Sequence, residues 1–307
     1  MKRASTNARG PGWNRYLILA GMVLAAFLGW YFGVGNLAAL VRGAEKLPLA
    51  AMALLIVAGF WIRAAKWGHA LGPGQSGVFL FFLAKTAGHW TPGRAGELAP
   101  LLLRDHRNVR IAAWIGLDRA VEVAWTLGLG VLGVAAIGFL SLPAAAGLLV
   151  AGAALAAALW WWCATVSLAD ADEKTASNWS RRLLRLLQRL RREVALFKRK
   201  LPVIMALTAA AKLTDIFAVI LLCDAFGYEV SFLLVCAARC AHGLVSAIPV
   251  TPDATGAPFV AAAWLLHKHG GVPYNVLTAA LALEVAVITA ILWGSFCLIS
   301  WRHWNTR

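Results

Sequence analysis

Apolar residues run almost without interruption through positions 16–35, 49–70, 117–139, 143–167, 203–225 and 277–300, each close to the roughly 20 residues that an α-helix needs to cross a bilayer. Six full helical spans are therefore expected. Two further regions, 77–103 and 231–268, are apolar but broken by polar and helix-disrupting residues: His89-Trp-Thr-Pro-Gly-Arg-Ala-Gly-Glu97 in one and Ile248-Pro-Val-Thr-Pro-Asp-Ala-Thr-Gly256 in the other. A broken backbone at membrane depth survives only where it is packed in protein or lines a polar cavity. The working parts are expected there.

Composition agrees with the pattern. The chain is 61% hydrophobic and only 14% charged, which leaves little room for a soluble domain. Its 28 glycines suit close helix crossings, and many of its 15 tryptophans stand near span ends, as interfacial anchors do. The net charge of +15 is sorted by loop rather than spread over a face, which argues against nucleic acid as a partner. Lys2, Arg3, Arg9 and Arg15 precede the first span, and Arg104, Arg107 and Arg110 follow the first broken region. Nine Lys and Arg crowd positions 181–200, and Arg302 and Arg307 lie at the end. By the positive-inside rule these loops and both termini are expected on the cytoplasmic side of an inner, or plasma, membrane. The first span carries no small-residue cleavage site and is read as a retained helix.

With the basic loops on one side, two segments have to enter and return. Residues 77–103 must leave from the cytoplasmic side and come back to it, and residues 231–268 must do the same from outside. The expected fold is an all-α polytopic membrane protein, a single integral domain over 1–307, with about six full spans plus two re-entrant helical hairpins. Span, hairpin and span recur in 49–139 and 203–300 with opposite orientation, an inverted-topology repeat of the kind used for alternating access. The alternative is a bundle in which both irregular regions are kinked full spans. A basic linker, 168–201, joins the halves. Leu183, Leu187, Leu190, Val194 and Phe197 share one face of a helix there, an amphipathic surface suited to anionic headgroups.

The charges inside the spans carry the candidate chemistry. Arg94 is the leading phosphate ligand, because a guanidinium is always charged and bonds phosphate bidentately. Pro92, Gly93 and Gly96 break the backbone around it, as Pro249, Pro252 and Gly256 do in the second region. Glu97 is close enough in sequence to orient Arg94 or to carry a proton. Arg119 and Glu122, three apart, share a helical face, as do Asp118 and Glu122 at four apart. In the second half Lys212 and Asp215 are spaced to pair, and Arg239, Asp253 and Glu284 complete the polar network. The alternative for each pair is a salt bridge that pins helices together. Arg63, Lys66 and Lys85 are expected to snorkel to the interface, and His267 and His269 to have ordinary interfacial roles.

Cys163, Cys223, Cys236, Cys240 and Cys297 all lie in or beside apolar spans, so no disulfide framework is expected. Cys236, Cys240 and His242 read as buried helix residues rather than metal ligands. No metal or cofactor is implied.

Thr91-Pro-Gly-Arg-Ala-Gly-Glu97, then Leu101-Leu-Leu-Arg104, then Asp118-Arg-Ala-Val-Glu122, is similar to the membrane region of lysylphosphatidylglycerol synthases and of related stand-alone membrane proteins. The segment Pro249 to Gly256 resembles that family's second, proline- and glycine-rich loop. Asp253 and Ala254 replace its glycine pair, Phe259 stands where Glu is usual, and Glu284 falls about where Arg is common. Asp118 and Glu122 keep the acidic pair with the residue types exchanged. The resemblance spans most of 50–300 and implies a membrane region associated with flipping lipids. It implies no aminoacylation, because nothing here resembles the soluble transferase domain of the fused synthases.

The function expected is a lipid flippase or transporter for an anionic or phosphate-linked membrane lipid. The alternatives are a membrane enzyme acting on a lipid-linked substrate, with Glu97 or Asp253 as base, and a noncatalytic partner of a lipid-modifying enzyme. No nucleophile paired with a base and no nucleotide-binding loop favours the enzyme.

Overall fold

The computed structural model describes residues 37–72, 77–89, 91, 95–102, 108–141, 143–152, 154, 188–190, 192–246 and 257–305. Every regular element among them is helical. In chain order these are α1 (Leu37–Gly43), α2 (Lys46–Leu71), α3 (Gly77–His89), a 3-10 segment (Ala95–Leu102), α4 (Asn108–Ala136) and the short apolar α5 (Pro143–Gly152). After a 3-10 turn at Lys198–Lys200 come α6 (Leu201–Asp224), α7 (Phe232–Ser246), α8 (Ala257–Gly270) and α9 (Tyr274–Asn305).

Four of the expected spans coincide with α2, α4, α6 and α9, each containing a stretch long and apolar enough to cross a membrane. The chain is a multi-pass helical membrane protein. The expected span at 16–35, most of that at 143–167 and most of the linker 168–201 lie outside the described residues. So do Cys163, Pro92, Gly93, Arg94, Pro249, Pro252, Asp253 and Gly256.

Helix α2 lies along α6, and contacts at both ends fix their sense. The Glu45 amide at the start of α2 donates to the Ala225 carbonyl just past α6 at 2.8 Å. At the other end, Lys200, just before α6, donates through Nζ to the carbonyls of His69 and Ala70 at 2.7 and 3.0 Å. The last carbonyls of α2 lack partners within the helix, so the ammonium both satisfies them and meets the negative end of the helix dipole. The two helices therefore run antiparallel.

Helix α4 packs against α7, and α9 against α3. Thr126 meets Gly243, Gly130 meets Cys240, and Gly133 meets Leu233 and Ala237, so α4 and α7 are also antiparallel. A Cβ on Gly133 would overlap the Leu233 carbonyl, and this absence of a side chain brings the two backbones together. On the other side Phe79 stacks on Phe296, with ring centroids 6.2 Å apart, and His89 approaches Thr289, which makes α3 and α9 antiparallel as well.

The arms of the first broken region fold back on each other. The Thr91 hydroxyl donates to the Ala87 carbonyl at 3.1 Å and accepts from the Gly96 amide at 2.7 Å, tying the end of α3 to the 3-10 segment. Gly96 permits this approach, because a Cβ there would collide with the Ala87 carbonyl. It is a close-packing residue as well as part of a broken motif. Pro100 removes a backbone donor within the 3-10 segment. Around this fold a buried aromatic group, Trp67, Phe81, Phe82, Trp114 and Phe197, packs mostly edge to face.

Candidate functional site

Eleven charged side chains converge between the helices: Arg63, Lys66, Lys85, Arg119, Lys212 and Arg239 as cations, and Glu97, Asp118, Glu122, Asp215 and Glu284 as carboxylates. At about 3 kcal/mol or more for a lone charge at the bilayer centre, this number is sustainable only because the groups meet one another and share a polar space.

The first half holds a continuous chain of pairs. Lys66, fully buried, has Nζ 2.5 Å from Asp118 Oδ1 and 3.7 Å from Glu122 Oε1, and it donates to Thr208 Oγ1 on α6 at 3.2 Å. Trp67 Nε1 donates to the other oxygen of Asp118 at 2.9 Å, so the aromatic core fixes that carboxylate. The spacing of three places Arg119 Nη1 2.7 Å from Glu122 Oε2, and Arg119 also pairs with Glu97. Lys85 on α3 reaches Glu97 Oε1 at 3.1 Å. Glu97 thus joins the hairpin-like pair of arms to α4.

Two further pairs complete the site. Arg63 on α2 pairs with Asp215 on α6, donates to the Ala211 carbonyl at 3.4 Å, and has Nε 3.9 Å from Glu122. It stands between the carboxylates of two halves. Arg239 on α7 lies 2.5 Å from Glu284 on α9.

The snorkelling expected of Arg63, Lys66 and Lys85 is corrected by this geometry. Hydropathy places them toward span ends, but the face of α2 that carries Arg63 and Lys66 turns inward, onto carboxylates 52 or more residues away in sequence. No local pattern reports such partners. A visible signal was their spacing of three, which puts both on one face of the helix. Asp215, spaced to pair with Lys212, has Arg63 as an ion-pair partner, while Lys212 lines the same cavity. Arg94 and Asp253 lie outside the described residues. At the far ends of the helices, His267 Nδ1 is 3.0 Å from the Val272 carbonyl and His269 packs edge-on to Phe139. Both are away from the charged cluster.

Eight of these eleven groups border a cavity of about 180 Å³; Lys66, Asp118 and Arg119 stand behind them, Lys66 paired with Asp118 and Glu122, and Arg119 with Glu122. The cavity lining mixes polar residues, among them Arg63, Lys85, His89, Glu97, Glu122, Lys212, Asp215, Arg239, His242 and Glu284, with apolar ones, among them Ile56, Phe60, Ala218, Leu281 and Ile288. His89 and His242 were not singled out as site residues from sequence. Among the described residues no group of three or more His, Cys, Asp or Glu is placed to hold a metal ion, and Cys223, Cys236 and Cys240 are buried free thiols.

By fold the chain is a multi-pass helical membrane protein, and an ion-paired, half-apolar cavity lies among its helices. The family follows from the sequence match: residues 18–294 match the model of the lysylphosphatidylglycerol synthase TM region, and the chain belongs to that family. No curated protein and no solved structure matches it. Membership makes it a membrane protein related to lipid handling.

Proposed function

We propose that this protein is a lipid flippase that passes the headgroup of an anionic or phosphate-linked lipid through the cavity while the acyl chains stay in the bilayer. The observation that carries the proposal is the mixed lining of the cavity, ionic and apolar together. Paired cations and carboxylates reach a small shared space, and α2, α6 and α9 each bring apolar residues to the same lining beside their charged ones. At about 180 Å³ the cavity is below the roughly 300–1,000 Å³ of pockets that enclose a drug-sized ligand, so it suits a headgroup and not a whole lipid.

In this scheme Arg94 and Arg119 take the phosphate. Arg119 is 28% exposed and shared between Glu97 and Glu122, so an entering anion competes with carboxylates for it. Glu97, Glu122 and Glu284 gate the change. Motion comes from an inverted repeat in which 49–139 and 203–300 rock against each other, with the basic loops and both termini cytoplasmic at the inner membrane. Support comes from the reciprocal packing: α2 lies antiparallel to α6, the last span of the first half lies antiparallel to α7, and the last span of the second lies antiparallel to α3.

The experiment is native mass spectrometry of the protein purified in mild detergent, comparing wild type with Arg94→Ala and Lys212→Met. One phosphate-bearing lipid enriched in wild type and lost from both variants is expected. Identical bulk lipid in all three would reduce these cations to structural partners and bring the enzyme and scaffold alternatives forward.

A further inference from the structure

Among the described residues that line the cavity, cations and carboxylates are equal in number. Arg63, Lys85, Lys212 and Arg239 are matched by Glu97, Glu122, Asp215 and Glu284, and Glu97, Asp215 and Glu284 each sit within a few ångströms of a cation. Two imidazoles, His89 and His242, line the same cavity. Imidazole is the side chain whose ordinary titration falls between about pH 5 and pH 8.

Their positions correspond. His89 is one turn beyond Lys85 on α3, which enters the first broken region; His242 is one turn beyond Arg239 on α7, which enters the second. Each half therefore presents a cation and then a histidine to the shared space, just ahead of its backbone break.

Both rings share the cavity with charged groups from several elements. The lining that His89 shares includes Lys85 on its own helix, Glu97 from the 3-10 segment, and Glu284 on α9, whose Thr289 hydroxyl lies 3.3 Å from His89 Nε2. The lining that His242 shares includes Arg239 on its own helix, Glu122 on α4, Lys212 and Asp215 on α6, and Glu284 on α9. Protonating both rings adds two positive charges to a site partly shielded from water, where a charge acts strongly.

We propose that the cavity is proton-operated, with His89 and His242 taking up protons as a phosphate-bearing headgroup enters and returning them as it leaves. This rests on the flippase proposal for the location of the headgroup and adds the coupling ion. No bond is made or broken. Two protons move from water to the ring nitrogens, and the anion follows them. By linkage, an anion that binds the protonated form more tightly must promote protonation, so affinity falls as pH rises through the histidine range.

The test uses the full chain in nanodiscs of phosphatidylcholine, with short-chain phosphatidylglycerol as the probe, because its single phosphodiester charge is constant over this range. Binding is measured by calorimetry at several values between about pH 5 and pH 8, in two buffers of different ionisation heat so that proton uptake is counted directly. Wild type should lose about tenfold or more in affinity across that interval, with net proton uptake on binding; tenfold is about 1.4 kcal/mol. His89→Gln and His242→Gln should each flatten the profile and lower the proton count, and together should abolish both. His267→Gln, at the far end of α8, should leave the profile unchanged. Probe binding that is independent of pH, or strengthens as pH rises, overturns the coupling while leaving the headgroup site standing. No probe binding at any pH overturns the site itself and the coupling with it.

Discussion

Lys66→Met isolates the most deeply buried charge pair. Lysine 66 is 0% exposed and Asp118 is 2% exposed, with 2.5 Å between Nζ and Oδ1. Methionine keeps the length of the side chain and removes its charge, so the principal effect is to leave the Asp118 carboxylate buried without its cation. Breaking a buried pair on one side typically costs about 3–5 kcal/mol. Glu122 keeps Arg119 at 2.7 Å, so the loss should centre on Asp118. Adding Asp118→Asn removes the orphaned charge yet leaves an amide oxygen able to accept from Trp67 Nε1, now 2.9 Å from Asp118 Oδ2. The double variant should recover a large part of the loss, because replacing both partners is far cheaper than removing one. The assay is thermal unfolding in a fixed detergent, where the single variant should fall by on the order of 10 °C and the double should lie between it and wild type. A single variant as stable as wild type, or a double variant less stable than Lys66→Met, would refute the reasoning.

Other outcomes follow from the same geometry. Asp215→Asn should destabilise less than Asp118→Asn in the same melt, because the Asp215 side chain is 33% exposed against 3% for Asp118. Gly96→Val should lower the yield of folded protein on size-exclusion chromatography, since the new side chain overlaps the Ala87 carbonyl, whereas Gly116→Ala, with open space at its Cβ, should behave as wild type. Gly133→Leu should weaken the α4 and α7 crossing and raise thiol reactivity at Cys236 and Cys240, read by a maleimide time course. For the inverted repeat, single cysteines at Gly74 and Gly271 in a cysteine-free background should label from opposite sides of the membrane; labelling of both from one side would contradict it.

Sequence made the four described spans legible because a run of about 20 apolar residues has few other uses. Arg119 with Glu122 was equally legible, since a spacing of three puts them on one helical face. The pairings of Arg63 with Asp215 and of Lys66 with Asp118 were not, because each joins separate helices and depends on which face of α2 turns inward. Hydropathy gives depth along a helix but no rotation about its axis. Thr91 and Gly96 show the same limit: the motif marks a break, but only the folded arms reveal that a hydroxyl bridges them and that a missing Cβ lets them touch. His89 entered only as the first residue of the broken motif and His242 only as a rejected metal ligand, because neither has a polar neighbour in sequence that announces a site beyond the cation one turn earlier.

Transport itself is most directly measured in reconstituted vesicles, following a headgroup-labelled anionic phospholipid by loss of fluorescence to a membrane-impermeant quencher. Wild type should expose inner-leaflet label much faster than protein-free vesicles, and Arg94→Ala and Lys212→Met, shown to be folded by their melting curves, should not. Equal rates with and without protein, or full rates in both variants, would contradict passage of a headgroup through the charged cavity.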